Sequence, residues 1–274
     1  MKVITWNVNG IRSRIFNDCI SSKLKKDYTL IPEENSAIKN ILDLDPDIIC
    51  IQETRCSVEN AKKIVIEGYD SFFNESNLTD ARGANRYSGT CIFYKQNIKD
   101  VEFDIQIPGY KDDEGRIIIM KTPDFTLVNV YAPNSGTNYE NKIKFNESVL
   151  KYLTECEGKV IFCGDLNAAK LTHFDQTKTK PGPGIYPHEL DFLDNLIKNS
   201  YIDTMKCDTV YTWWDPRQIK ENGMSRTRNR NKGWRLDYFF TKNINHCSSK
   251  CLKYIGENNK NVPLASDHAP VLME

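Results

Sequence analysis

The sequence predicts a mixed α/β protein, folded as one domain over residues 1–274, on three observations. Short apolar runs of strand length recur from end to end. Longer stretches of helical period fall between them, and no low-complexity linker of domain-dividing length interrupts the pattern. The length fits, because single α/β domains routinely reach about 250 residues. With 39% hydrophobic residues, including 12 Phe, 13 Tyr and 4 Trp, the chain can fill a large core, which excludes a wholly disordered protein.

Taken in order, strands are expected at residues 2–8 and 47–52, the second built on Ile48-Ile49-Cys50-Ile51. Between them, residues 21–36 carry Lys23, Lys25 and Lys26 ahead of Pro32 with weak periodicity, and read as a surface insertion. Residues 33–44 read as a helix with Ala37, Ile38, Ile41 and Leu42 on one face. Strands at 88–94, 116–121 and 126–131 follow, then a helix at 140–155 and a strand at 159–163. A helix at 187–199, with Leu190, Leu193, Leu196 and Ile197 inward, and a strand at 235–241 complete the set. Strands this short belong in sheets, and each helical stripe can cover a sheet face.

Thirty-seven Lys and Arg against 37 Asp and Glu cancel, so any preference for a polyanion rests on how charge is distributed. The distribution is uneven in the loop at 217–233. Arg217, Lys220, Arg226, Arg228, Arg230 and Lys232, with Arg235 just beyond, face the single acid Glu221. A solvated loop is the plain explanation; a clamp on a phosphate backbone, with Arg228 and Arg230 at its centre, is the functional one. The longest apolar runs fall far short of the ~18 residues that cross a bilayer. The N-terminus has no signal-peptide core, so an intracellular protein without membrane association is expected. Nine cysteines without framework spacing read as free thiols, and Cys247 and Cys251 beside His246 lack the spacing of a zinc knuckle.

Polar residues repeatedly close apolar strands. Thr5-Trp6-Asn7-Val8-Asn9-Gly10 ends the first with two asparagines at i and i+2, which pleat alternation places on one face. Gln52-Glu53-Thr54 ends the second, Gly164-Asp165-Leu166-Asn167 ends a third, and Ser266-Asp267-His268 lies near the C-terminus. Singly, each has a bland explanation as a turn, an Asx cap or an oriented structural histidine. Together they assemble hard oxygen donors with one histidine, a mixture poor for zinc and suited to Mg²⁺, with Mn²⁺ able to substitute. The chemistry that follows is metal-assisted phosphoester hydrolysis.

The ordered motifs resemble the endonuclease/exonuclease/phosphatase superfamily, and within it the exonuclease III-like apurinic/apyrimidinic endonucleases. They run from Trp6-Asn7-Val8-Asn9-Gly10-Ile11-Arg12 and Gln52-Glu53-Thr54 through Tyr87-Ser88-Gly89, Glu114-Gly115-Arg116 and Tyr131-Ala132-Pro133-Asn134-Ser135-Gly136. Gly164-Asp165-Leu166-Asn167, Trp234-Arg235-Leu236-Asp237-Tyr238-Phe239 and Ser266-Asp267-His268-Ala269-Pro270 complete them. The resemblance implies a four-layer sandwich, two packed mixed β-sheets flanked by helices, with the site at one edge. It implies that Glu53 is the main metal ligand, with Asn9 and Asp267 assisting. It pairs His268 with Asp237, assigns Asp165 to the attacking water with Asn7 and Asn167 in support, and aims Tyr131 at the scissile phosphate.

By the same resemblance, Trp213, Trp234 and Leu236 line a small apolar pocket that admits an extruded base-free sugar, while Arg12 and Arg116 contact the DNA backbone. The implied activity is hydrolysis of duplex DNA 5′ to an abasic site by a monomeric repair enzyme, nuclear in a eukaryote and cytoplasmic otherwise. Phosphodiesterase, phosphatase or exonuclease action at 3′ ends is an implied side activity. The chain departs from the pattern at Thr137, where some relatives carry an arginine that enters DNA, and in the extra length at 21–36.

Overall fold

A computed structural model describes residues 1–15, 36–77, 87–173, 182–207, 210–216, 220–221, 224–253 and 266–274. The core of residues 21–36 and part of the basic loop lie outside the described residues.

The first strand, β1 (Val3–Asn7), leads through α1 (Arg12–Ile15) toward α2 (Ala37–Leu42), whose first turn is capped by the Ser36 hydroxyl accepting from Lys39 N. Next come β2 (Ile48–Gln52), α3 (Val58–Ala61), β3 (Tyr69–Asn74), β4 (Thr90–Lys95), β5 (Glu102–Asp104), β6 (Ile117–Lys121) and β7 (Thr126–Tyr131). The long helix α4 (Tyr139–Glu155) precedes β8 (Val160–Asp165), and α5 (Pro187–Lys198) precedes β9 (Ile202–Asp203). A hairpin of β10 (Lys220–Glu221) and β11 (Met224–Ser225) runs into α6 (Arg226–Asn229), and β12 (Asp237–Lys242), β13 (Ser249–Cys251) and β14 (Val271–Met273) close the chain.

Two six-stranded mixed sheets form, in the orders β13-β14-β1-β2-β4-β3 and β5-β6-β7-β8-β12-β9. Among the described residues only β1 with β2 and β7 with β8 pair in parallel. Between the sheets lies one apolar layer, in which Val3, Ile48, Cys50 and Ile92 meet Ile118, Leu127, Ile161 and Cys163. The outer faces carry their own cores: Ile38 and Ile41 of α2 on the first sheet, Phe145, Val149, Phe192 and Leu196 of α4 and α5 on the second. That is the expected four-layer sandwich. Alternate strand residues feed alternate layers, so each buried Ile or Phe contributes about 1.5–3 kcal/mol of apolar transfer.

One buried polar bridge crosses the dry layer. Gln52 Nε2 donates to Asn129 Oδ1 at 2.7 Å and to Thr5 Oγ1 at 2.9 Å, while Asn129 Nδ2 reaches Ile51 O and Cys91 O, each at 3.2 Å. A one-residue slip between the sheets would orphan the three contacts made by Asn129, so the bridge fixes where β2 and β7 end relative to each other.

Two local expectations are corrected. In α5 it is Phe192 that turns inward, while Ile197 is exposed and Leu190 half-buried, because Glu189 is drawn inside by Ser135 and by Tyr186 N. The pairs Asn7/Asn9 and Asp165/Asn167 do not share a pleat face. Asn9 and Asn167 have left the strands with φ of 49° and 44°, and each donates its backbone N–H to the side chain two residues earlier.

Candidate active site

Five strand ends converge at one edge of the sandwich. Register places Asn7 beside Gln52, so Glu53 follows at the same level, and it sets Asp165 between Tyr131 on one side and Asp237 on the other. The Ser266-Asp267-His268 turn is tied across them: Ser266 Oγ donates to Asn7 O at 2.7 Å and accepts from His268 N at 3.1 Å. Trp6, buried beneath, donates to His268 O at 3.2 Å. Gly164 permits the approach just before Asp165. Its φ is 131°, and a Cβ there would lie 1.9 Å from Val130 O, so any side chain would force β8 away from β7.

A continuous run of contacts joins the expected residues. His268 Nδ1 meets Asp237 Oδ2 at 2.8 Å, and Nε2 faces Asp165 Oδ2 at 3.7 Å. Asn7 Nδ2 then bridges two carboxylates, donating to Asp165 Oδ2 and Glu53 Oε1, both at 2.9 Å. The second Asp165 oxygen accepts from Asn167 N at 2.9 Å. Asn167 is itself held by Nδ2 donating to Ala132 O at 2.9 Å and by Asn134 Nδ2 donating to its Oδ1 at 3.2 Å. On the other side, Asn9 Nδ2 donates to Asp267 Oδ1 at 3.0 Å.

Burial and charge polarise this run. Burial pushes the Asp165 carboxyl well above the usual carboxylate range; the charge on His268 and the N–H donors of Asn167 and Asn7 oppose that push without cancelling it. For His268 burial disfavours the imidazolium, but Asp237 and Asp165 outweigh it, and the ring is pushed up to about 10. Asp267 is the reverse of Asp165: burial is overcome by His268 and by donors from Trp213 and Asn9, which hold it below its ordinary value. The site therefore presents a basic carboxylate, a cationic imidazole and a firmly ionised aspartate side by side, the separation that acid–base chemistry at neutral pH uses.

Asp165, Asp237 and His268 place ligand atoms within 4.8 Å of one another, close enough for a metal. That grouping is better explained as an acid–base pair, since the Nδ1 of His268 is spent on Asp237. Two carboxylates that are not fully buried, Glu53 and Asp267, line the same cleft. Their chemistry fits Mg²⁺ or Mn²⁺, which take carboxylates together with several waters. Arg55 forms an ion pair with Glu53 Oε2, so a cation arriving there displaces a resident guanidinium.

The cleft, about 560 Å³, runs from Glu53 and Asp165 past Tyr131 to Trp213, Trp234 and Leu236. Leu236, Ala169 and Ile185 form a small apolar cluster against which both tryptophans pack. Gly184 permits it, since a Cβ there would stand 2.9 Å from the Trp234 ring.

The arginines divide. Arg12 is half-buried and Arg230 exposed. Arg116 is 2% exposed; its Nε donates to Glu114 at 2.6 Å and its NH1 to Tyr131 O at 3.0 Å, with the guanidinium 4.6 Å over the Tyr131 ring. It supports Tyr131 from beneath instead of reaching a DNA backbone. Arg228 also departs from expectation. Only 4% exposed, it stacks 4.7 Å over Trp214 and donates to Ser266 O at 2.9 Å, so it braces the Ser266–His268 turn and is closed to phosphate.

Comparison with known proteins agrees with this geometry. The sequence pattern of the Endonuclease/Exonuclease/phosphatase family matches residues 4–268. The chain belongs to this family. It is 28% identical over 284 residues to an exodeoxyribonuclease of Bacillus subtilis, covering 99% of this chain and 98% of that one. It is 29% identical over 288 residues to a DNA-(apurinic or apyrimidinic site) endonuclease of Dictyostelium discoideum, covering 99% and 69%. The structure resembles that of the AP endonuclease LMAP from Leishmania major with a TM-score of 0.74 and 25% identity, over 99% of this chain and 86% of that one.

Membership leaves several side chains of this site that sequence reasoning missed. Lys142 on α4 is fully buried, and its ammonium donates to Leu166 O in the Asp165–Asn167 turn. Burial, only partly opposed by Glu189 and Asp165, lowers it to about 8. Arg55, which holds Glu53, was likewise missed, whereas Asn134, which holds Asn167, and Tyr87, which lines the cleft, stood in the motifs without an assigned role. Lys142 left no signal, because a lysine on an amphipathic helix reads as a solvent-facing residue.

Proposed function

We propose that this protein is a Mg²⁺-dependent DNA-repair nuclease that hydrolyses the phosphodiester bond 5′ to an abasic site in duplex DNA, leaving a 3′-hydroxyl and a 5′ deoxyribose phosphate. The observation that carries the reading is one cleft holding both the Asp165–His268 pair and the apolar pocket of Trp213, Trp234 and Leu236. An abasic sugar can enter such a pocket, whereas a normal nucleotide would need room for its base and would lose stacking energy. A divalent cation held by Glu53, with Asp267 and Asn9 alongside, supplies Lewis-acid neutralisation of the phosphate charge.

The chain's own groups do the rest. Asp165 accepts a hydrogen bond from the attacking water and, with its raised proton affinity, takes the proton as the water oxygen bonds to phosphorus. Asn7 and Asn167 hold that carboxylate in register. The imidazolium of His268, kept charged by Asp237, donates to the phosphoryl oxygen on which charge develops. Tyr131, fixed by Arg116, hydrogen-bonds a second oxygen. The P–O3′ bond breaks and the departing oxygen takes up a proton.

The name of the Bacillus subtilis relative, an exodeoxyribonuclease, supports a second use of the same site, removal of nucleotides from DNA ends. The test is a nicking assay on an abasic duplex with Mg²⁺ and with excess chelator, the product ends being mapped. Cleavage that survives chelation, or ends other than 3′-hydroxyl and 5′ deoxyribose phosphate, would remove the proposal.

A further inference from the structure

Trp213 belongs to two sites at once. Its ring packs beside Trp234 on the cluster of Ala169, Ile185 and Leu236. Its Nε1–H donates to Asp267 Oδ2 at 2.9 Å. The backbone leaves the residue little freedom: Trp213 N donates to Trp234 O at 2.8 Å, Trp234 N returns to Trp213 O at 2.9 Å, and a further bridge ties Trp213 to His268. The other oxygen of Asp267 accepts from Asn9 Nδ2, so each carboxylate oxygen is pinned by a side-chain donor.

We propose that Trp213 is a positioning residue for the cation site, its indole N–H holding the Asp267 carboxylate at the angle that a divalent ion requires. The indole is rigid, so the face that walls the pocket and the N–H that holds Asp267 cannot move independently. A ligand seated against the ring and a cation seated on the carboxylate select the same tryptophan rotamer. Each must then tighten the other by the same factor, as linkage demands. A phenylalanine would supply the wall without the donor.

The inference rests on the reading above, that the pocket takes a base-free sugar and that Asp267 serves the cation, and its test separates the two. Mn²⁺ binding to the whole protein is titrated calorimetrically for wild type, Trp213→Phe, Trp213→Ala and Asn9→Ala, alone and with a cleavage-resistant abasic duplex. Losing a donor behind a metal ligand costs about 10–100-fold in metal affinity. Trp213→Phe should show a loss of that order without DNA. Asn9→Ala, which removes the other donor and a side chain of the cation site without touching the pocket, sets the scale of loss for a weakened site. Wild type should bind Mn²⁺ about five-fold or more tighter with the duplex than without it, and Trp213→Phe should lose most of that factor.

Unchanged Mn²⁺ affinity in a folded Trp213→Phe or Trp213→Ala overturns the inference. Weakened Mn²⁺ binding in Trp213→Phe alongside intact abasic preference in Trp213→Ala supports the N–H link while refuting the pocket.

Discussion

Replacing Asp237 with asparagine removes a charge and leaves the shape. The carboxylate meets His268 Nδ1 at 2.8 Å, with both side chains buried, so the contact is a charge-assisted hydrogen bond in a poorly hydrated setting. Such bonds contribute about 1.5–3 kcal/mol. At about 1.36 kcal/mol per pH unit, the imidazolium should lose one to two units of proton affinity. In the native protein His268 is raised to about 10, so the ring stays cationic through neutrality and gives up its proton only in the alkaline range. The sign is fixed: Asp237→Asn draws the alkaline limb of the rate profile down, to about pH 8–9, and also lowers the acid limb, because the Asp237 charge helps burial raise Asp165. Above the new limb the rate should fall by about 10²-fold, the scale of losing one preorganised transition-state donor. Single-turnover cleavage of an abasic duplex from pH 5 to 11 measures both limbs. An alkaline limb that does not move would mean that His268 does not act as a cation held by Asp237. The same shift links to stability. A histidine raised by a partner stabilises the fold fully below about pH 6.5, and that contribution is lost as pH rises through about 10, so urea unfolding of Asp237→Asn should converge on wild type at high pH.

Glu53→Gln should raise the Mg²⁺ concentration needed for activity while duplex binding largely survives, and an unaltered metal titration would remove Glu53 as a ligand. Asp165→Asn and His268→Asn should each cost about 10²-fold or more in turnover, and the double variant should fall well short of the product, because the two act on one phosphorus; multiplicative losses would separate their roles. Arg228→Ala should lower stability by about 1–3 kcal/mol in urea unfolding, since it strips the brace from Ser266 O, and a normal unfolding curve with a flattened salt dependence of DNA binding would return Arg228 to the backbone clamp.

The strand cores were legible because they are apolar runs bounded by polar ends, and β7 (Thr126–Tyr131) coincides with its expected range. The site was legible for a related reason. Asparagines and acids at the ends of buried strands have nowhere to go except a shared edge, and Asn7, Glu53, Asp165, Asp237 and His268 do meet there. What stayed hidden depends on packing across the chain. Asn129 lies inside an apolar strand, and no local feature of that strand indicates that Gln52 stands opposite it. Arg228 read as part of a basic loop because composition does not reveal that Trp214 lies beneath it. Asn9 was misplaced on the pleat face of Asn7 because asparagine tolerates the left-handed backbone that breaks the alternation, as Asn167 also does.

The central claim is that the pocket of Trp213, Trp234 and Leu236 selects a base-free sugar for the Asp165–His268 pair. Its most direct test is the ratio of kcat/KM for one duplex with and without a single abasic site, in Mg²⁺, for wild type and for Trp234→Ala. The account predicts strong preference for the abasic duplex in wild type. In the variant that ratio should collapse, chiefly through loss on abasic DNA, while cleavage of intact DNA stays where it was. Equal rates on both duplexes in wild type, or a ratio untouched by Trp234→Ala, would contradict it.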